Sequence, residues 1–139
     1  CTGNTCRSPM AEQFLKSKLI KHNIKNVRVL SAGLMANPQE KTNAFTISAL
    51  KNFGINARKK SATQLTKKLV DNNTILITMT FNQLEYVKNV CKACCISDFW
   101  KGGDIPDPYG LGEEAYLKTA QILDIVTSEI INRIIKGEL

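Results

Sequence analysis

A thiol and a guanidinium six positions apart, Cys1 and Arg7 in CTGNTCRSP, place a nucleophile and an anion clamp on one short loop. A cysteine attacks as thiolate, and a helix N-terminus with nearby cations lowers its pKa from about 8.5 to roughly 3.5–7.5. Position supplies both, because Ser8-Pro9 reads as a helix start with Ser8 as cap and Pro9 at the first helical position. The Ser8 hydroxyl is also a donor for the thiolate, and Arg7 brings a planar fork able to hold two oxygens of a phosphate. Thr2, Gly3, Asn4, Thr5 and Cys6 lie between them, small or polar, so that their N–H groups can turn inward on an anion. Gly3 is expected in a backbone conformation that a Cβ would obstruct, and Asn4 in left-handed geometry with its amide tying the loop.

Thiolate attack on phosphorus needs an acid for the leaving group and a base for the water that follows. His22, the single histidine, lies in a lysine-rich stretch, so a carboxylate must serve. Asp107 in Asp107-Pro108-Tyr109-Gly110 is the best candidate, with Asp104 as its neighbouring competitor; both residue types also form turns. The breaker-rich loop Lys101–Gly112 follows the last expected strand, at the carboxyl-end rim where open α/β sheets bind ligands.

The elements that must position these groups follow from periodicity. Met10, Phe14, Leu15 and Leu19 recur at helical spacing as far as His22. Ala44, Ile47, Leu50 and Phe53 mark a second helix from Asn43, ended by Gly54, and a short helix is expected after Thr66. Strands are expected at Val27–Ser31, Thr74–Thr80 and Ile96–Phe99, with a helix over Asn82–Cys94 that turns Leu84, Val87 and Cys91 inward. Glu113–Lys136 is a long amphipathic helix. Alternating strands and helices imply a parallel sheet with helices on both faces, a three-layer α/β/α single domain over residues 1–139. A phosphate-cradling loop normally follows a strand, so an apolar strand of about five to seven residues, central in the sheet, is expected ahead of Cys1.

Composition narrows the class. The chain is 43% apolar but only 6% aromatic, which predicts an aliphatic core, and no apolar run approaches the roughly 20 residues of a spanning helix. A net charge of +7 comes from scattered lysines without interleaved aromatics, which argues against a single-strand nucleic-acid face and leaves a solvated surface or steering of anionic substrates. Five clustered cysteines without a secretory signal fit a reducing, cytoplasmic setting. A zinc site from Cys91, Cys94, Cys1 and Cys6 is disfavoured by the Cys1-x4-Cys6 spacing.

CTGNTCRSPMAE at the start, SAG at Ser31–Gly33 and DPYG at Asp107–Gly110 together resemble the low-molecular-weight protein phosphatase family. The resemblance implies a flavodoxin-like, four-stranded parallel sheet, a phosphocysteine intermediate, no metal and no other cofactor. It makes Cys1 the nucleophile, Arg7 the phosphate ligand and Asp107 the general acid and base. Residues 2–6 and Ser8 form the phosphate loop, Tyr109 walls the substrate slot, and Cys6 forms a protective disulfide with Cys1. Thr5, where tyrosine-directed members usually have Ile, and Gly110 in place of a second aromatic resemble the bacterial protein-arginine phosphatase branch. Phosphoarginine is therefore favoured over phosphotyrosine, on protein substrates, by a monomer that engages neither nucleic acid nor membrane. Two features depart from the family pattern: Arg58-Lys59-Lys60-Ser61, where relatives often carry a histidine, and the Cys91-x2-Cys94-Cys95 cluster. Arsenate reduction on the same scaffold is the alternative, but its first resolving cysteine would belong at Met79-Thr80. A zinc-stabilised or anion-binding module is a third reading.

Overall fold

The computed structural model describes residues 1–139, ordered as α1 (Arg7–Lys21), α2 (Ala44–Lys51), β1 (Ile75–Thr78), α3 (Phe81–Val87), β2 (Lys92–Cys95) and α4 (Glu113–Ile135). Single 3-10 turns occur at Lys67–Leu69, in place of the short helix expected after Thr66, and at Ile96–Phe99. The long helix α4 turns Tyr116, Ala120, Leu123, Val126 and Ile130 inward at three- and four-residue spacing. They meet Met10 and Phe14 of α1 and Leu50 of α2 in one core, where fully burying each large side chain contributes about 1.5–3 kcal/mol. Phe14 also packs edge-on against Phe53, ring centroids 5.1 Å apart. The inward face of α2 is Thr46, Ala49 and Leu50, one step round from the expected stripe, because Ala44 sits exposed at the first turn beside the Asn43 cap.

The sheet has two parallel strands, β1 and β2, in register from Ile75 opposite Lys92 to Thr78 opposite Cys95, with α3 as the crossover. Three expectations change here. The helix after Asn82 ends at Val87, and Cys91 lies in the following turn, not on an inner face; residues 92–95 return as β2 because Ala93 to Cys95 pair with β1. Ile96–Phe99 is a turn, not a strand, since the Asp98 carboxylate takes the Cys95 N–H at 3.1 Å and pulls the chain round. Ile96 and Phe99 are buried three residues apart, a spacing that a short apolar run hides.

Val27–Ser31 keeps the in-and-out alternation of a strand but forms no ladder, and of the four parallel strands expected the sheet holds two, β1 and β2. It stands across from β1 over a cavity of about 610 Å³ whose walls include Val27, Val29, Leu30, Ile75 and Ile77. A strand needs a hydrogen-bonded neighbour to exist, and neither backbone reaches the other across that gap. No helix is long and apolar enough to cross a membrane.

Candidate active site

Residues 1–6 run directly into α1, and neighbouring backbone closes the loop from behind. Leu34 N donates to Cys1 O at 3.1 Å and Met35 N to Thr2 O at 2.9 Å. That approach requires glycine at position 33, where a Cβ would stand 2.5 Å from Thr2 O. On the other side Asn43 N donates to Thr5 O at 2.9 Å. The Thr2 hydroxyl accepts from Gln83 Nε2 at 3.2 Å, so α3 also holds the loop.

Asn4 carries the turn. Its φ of +57° is left-handed and its side chain is buried. Asn4 Nδ2 donates to the Ser8 and Ser31 hydroxyls, both at 3.0 Å, while its Oδ1 accepts from Thr63 N at 2.9 Å. Because Asn4 takes the strained geometry, Gly3 does not: it lies outside the left-handed region, and a Cβ there would touch only Thr5 Oγ1 at 3.8 Å. The expectation for Gly3 is corrected accordingly.

The Ser8 assignment divides in two. Ser8 is not the cap, because α1 begins one residue earlier at Arg7, with Cys6 as N-cap and no side-chain capping bond. Pro9 accordingly sits within the first turn instead of opening it, where its lack of an N–H costs no helical bond. The freed Ser8 hydroxyl shares a 2.7 Å hydrogen bond with Cys1 Sγ. Cys1 is half-buried, so its sulfur is both held and reachable.

Arg7 is buried on α1. Its Nη1 donates to Ile105 O at 2.9 Å, its Nη2 lies 3.6 Å from Asp107 Oδ2, and its Nε has no hydrogen-bond partner within the protein. Burial lowers its pKa from the ordinary value, against the raising influence of Asp107, Cys6 and Asp104, and a guanidinium so placed stays charged. The loop carrying both acids is anchored by the fully buried Ile105, whose N–H donates to Met79 O at the end of β1 at 2.9 Å. Asp104 is occupied with α3, accepting Phe81 N at 2.9 Å. Asp107 is the half-exposed carboxylate left facing Arg7, while also accepting Tyr109 N at 3.2 Å as a turn former would. Tyr109 is exposed on the same loop. The structure therefore brings Cys1, Ser8, Arg7 and Asp107 to one rim.

Thr5 is half-buried, with its hydroxyl 3.6 Å from Cys6 Sγ. Cys6 is buried, and its sulfur lies 3.1 Å from Tyr116 Oη. Burial, then the Cys6 hydrogen bond, raises the Tyr116 pKa. All five cysteines are free thiols, Cys94 pushed up to about 11 by burial and then by Asp98 and Cys95. No three His, Cys, Asp or Glu side chains converge as a metal site.

Three residues at the back of the site went unassigned. Ser31 donates to Glu12 Oε2, and Glu12 also accepts from Lys60 and, at 2.5 Å, from Lys16. Burial pushes the Glu12 pKa up, but the bonds from Lys16, Lys60 and Ser31 together with the Lys60 charge outweigh it and leave the carboxyl below its ordinary range. Glu12 and Ser31 fall inside PMAE and SAG, so the signal was present in the motifs without a role attached. Lys60 belongs to a basic run that reads as surface.

The low molecular weight phosphotyrosine protein phosphatase family matches residues 1–137. The chain belongs to that family. It is a phosphatase, a hydrolase acting on phosphorylated proteins, and its parallel sheet and helices are those of its relatives. It is 30% identical to a protein-arginine-phosphatase of Bacillus subtilis over 98% of this chain and 94% of that one. A putative low molecular weight protein-tyrosine-phosphatase of Klebsiella pneumoniae is 29% identical, over 89% and 86% of the two chains. Among solved structures, a YwlE arginine phosphatase whose active-site residue is a phosphorylated serine introduced by mutation superposes with a TM-score of 0.88 at 30% identity, covering 97% of this chain and 92% of that one.

Proposed function

We propose that this phosphatase hydrolyses phosphoarginine on proteins in preference to phosphotyrosine, through a phosphocysteine on Cys1. The observation that carries the reading is the Cys1 Sγ–Ser8 Oγ bond of 2.7 Å beside an Arg7 that faces Asp107 at 3.6 Å. In the first step the Cys1 thiolate, stabilised by the Ser8 O–H and the N-terminus of α1, attacks phosphorus. Arg7 and the N–H groups of residues 2–6 hold the phosphoryl oxygens as charge builds on them. The P–N bond of phosphoarginine breaks, and protonated Asp107 gives its proton to the leaving guanidine nitrogen. In the second step Asp107, now a carboxylate, takes a proton from water as that water attacks phosphocysteine. The S–P bond breaks, phosphate leaves, and the thiolate is restored. Tyr109 lines the approach.

Substrate preference rests on Thr5 and Gly110. A hydroxyl at position 5 offers a polar contact near a guanidine and leaves more room than isoleucine, and Gly110, with φ of +76°, adds no second aromatic wall after Tyr109. The arginine-directed names among the relatives point the same way. Initial rates on a phosphoarginine and a phosphotyrosine peptide at matched concentration test it. The expected result is faster phosphoarginine hydrolysis, moved toward phosphotyrosine by Thr5→Ile and abolished by Cys1→Ser. A phosphotyrosine preference, or one that T5I leaves unchanged, refutes the specificity argument; normal turnover by C1S refutes the mechanism.

A further inference from the structure

We propose that Trp100 is a positioning residue, a strut that holds the acid loop where Asp107 can reach the leaving group; this rests on Asp107 being the general acid. The root of the strut is fixed. Phe99 is buried beneath the Arg133 guanidinium of α4, which stands 4.8 Å from its ring centroid, and Arg133 Nη2 donates to Asp98 O at 2.8 Å. Asp98 in turn holds the end of β2 through Cys95 N. From that platform the half-buried indole reaches forward over the chain that follows it, and its Nε1 donates to Gly103 O at 2.8 Å. The ring lies so close on Gly102 that a Cβ there would run into Cη2, Cζ3 and Cζ2. Gly103 then turns at a φ of +79°, a conformation glycine takes without strain. Residues 101–103 are folded back on one indole.

That turn sets where the next residues fall. Asp104 accepts Phe81 N at 2.9 Å, and Ile105 N donates to Met79 O at 2.9 Å, so the loop leaves the indole pinned to α3 and to the end of β1. Asp107 follows between Pro106 and Pro108. Proline fixes its own φ and confines the residue before it to extended backbone, so little freedom separates the pinned loop from the carboxylate. The carboxylate meets Tyr109 N and Arg7 Nη2 but is half-exposed, so its position depends on the backbone that carries it. A phenyl ring at position 100 would cover Gly102 equally well; the N–H has its use in the Gly103 carbonyl. Without that bond the loop before Asp104 is held at one end only, and an error of about 1 Å at a reacting group can cost on the order of 100-fold.

The test is kcat/KM, which reads the step that forms phosphocysteine, on phenyl phosphate and on 2,4-dinitrophenyl phosphate. Phenolate, with a pKa of about 10 like the tyrosine side chain, leaves poorly without a proton, whereas dinitrophenolate leaves unaided. Trp100→Phe is expected to lower kcat/KM on phenyl phosphate about ten- to hundredfold and on the dinitrophenyl ester less than about twofold. Gly102→Ala, which wedges the ring off its seat, gives the same selective loss, and the emission of this single tryptophan moves to longer wavelength as the indole meets water. W100F with G102A loses no more than the worse single variant. Equal losses on both esters, or no loss on either, in folded W100F and G102A overturn the proposal, as does full additivity of the pair. Asp107→Asn separates the two levels and is expected to show the same selectivity at larger magnitude. If D107N spares phenyl phosphate, Asp107 is not the acid and the functional reading fails as well; if D107N is selective and W100F is not, only the role of Trp100 fails.

Discussion

Replacing Asn4 with alanine should cost the fold about 4 kcal/mol, adding roughly 1 kcal/mol net for each of three hydrogen bonds and about 1 for holding alanine at left-handed φ. The bonds are those from Nδ2 to Ser8 and Ser31 and from Thr63 N to Oδ1, each between 2.9 and 3.0 Å, and the φ is +57°. Asn4→Gly loses the same bonds without the strain, so it should be less destabilising than Asn4→Ala by about 1 kcal/mol. With a urea slope of about 1.5 kcal/mol/M, the alanine variant's midpoint should fall by roughly 2.5 M and the glycine variant's by about 2 M. Equilibrium urea unfolding followed by far-UV circular dichroism reads both. A loss below 1 kcal/mol in the alanine variant, or a glycine variant less stable than the alanine one, refutes the view that Asn4 is both the strained residue and the central tie of the loop.

Mild peroxide should abolish phosphatase activity in a way that dithiothreitol restores, and Cys6→Ser should make the loss largely irreversible, because a neighbouring thiol traps the sulfenic acid; equal recovery with and without Cys6 dismisses that protective role. Arg7→Lys should lower kcat/KM about 100- to 1000-fold, since a point charge replaces a fork spanning Ile105 O and Asp107; a loss under tenfold in steady-state kinetics contradicts it. Glu12 has a folded-state pKa below its unfolded value, so its contribution is present above about pH 4.3 and is lost as pH falls through the lower folded value. Urea midpoints measured from pH 6 to pH 3 should therefore decline, and Glu12→Gln should flatten that limb; an unchanged slope in E12Q argues that other carboxylates carry it.

Local chemistry proved readable where a side chain's role is set by its immediate neighbours in the chain. Asn4 in left-handed geometry, the helix running from the loop toward His22, the Asn43 cap of α2 and the whole of α4 follow from spacing and capping residues, whereas α2 ends at Lys51, short of the expected Gly54. Strands were harder, because a strand is a property of pairs. Val27–Ser31 has the alternation but no partner, and the apolar run at Ile96–Phe99 is bent by a carboxylate only two residues into it. The front of the site, Cys1, Arg7 and Asp107, announced itself through residue types with few other uses in that pattern. Its back did not, since Glu12, Ser31 and Lys60 are ordinary residues that gain meaning only when three separate segments converge.

Arg7 Nε is a buried donor with nothing in the protein to receive it. An unmet donor of this kind costs the folded state about 1–3 kcal/mol, and under the proposed phosphate-binding role of Arg7 an oxyanion in the loop would remove that cost as it binds. Ligand affinity and conformational stability are then two readings of one free energy. A phosphate analogue at a hundred times its Kd would add about 2.7 kcal/mol to unfolding, so the melting temperature becomes a titration of the loop. Cells rich in inorganic phosphate would hold this enzyme in a sturdier state than cells short of it, and its lifetime against proteolysis would follow the anion.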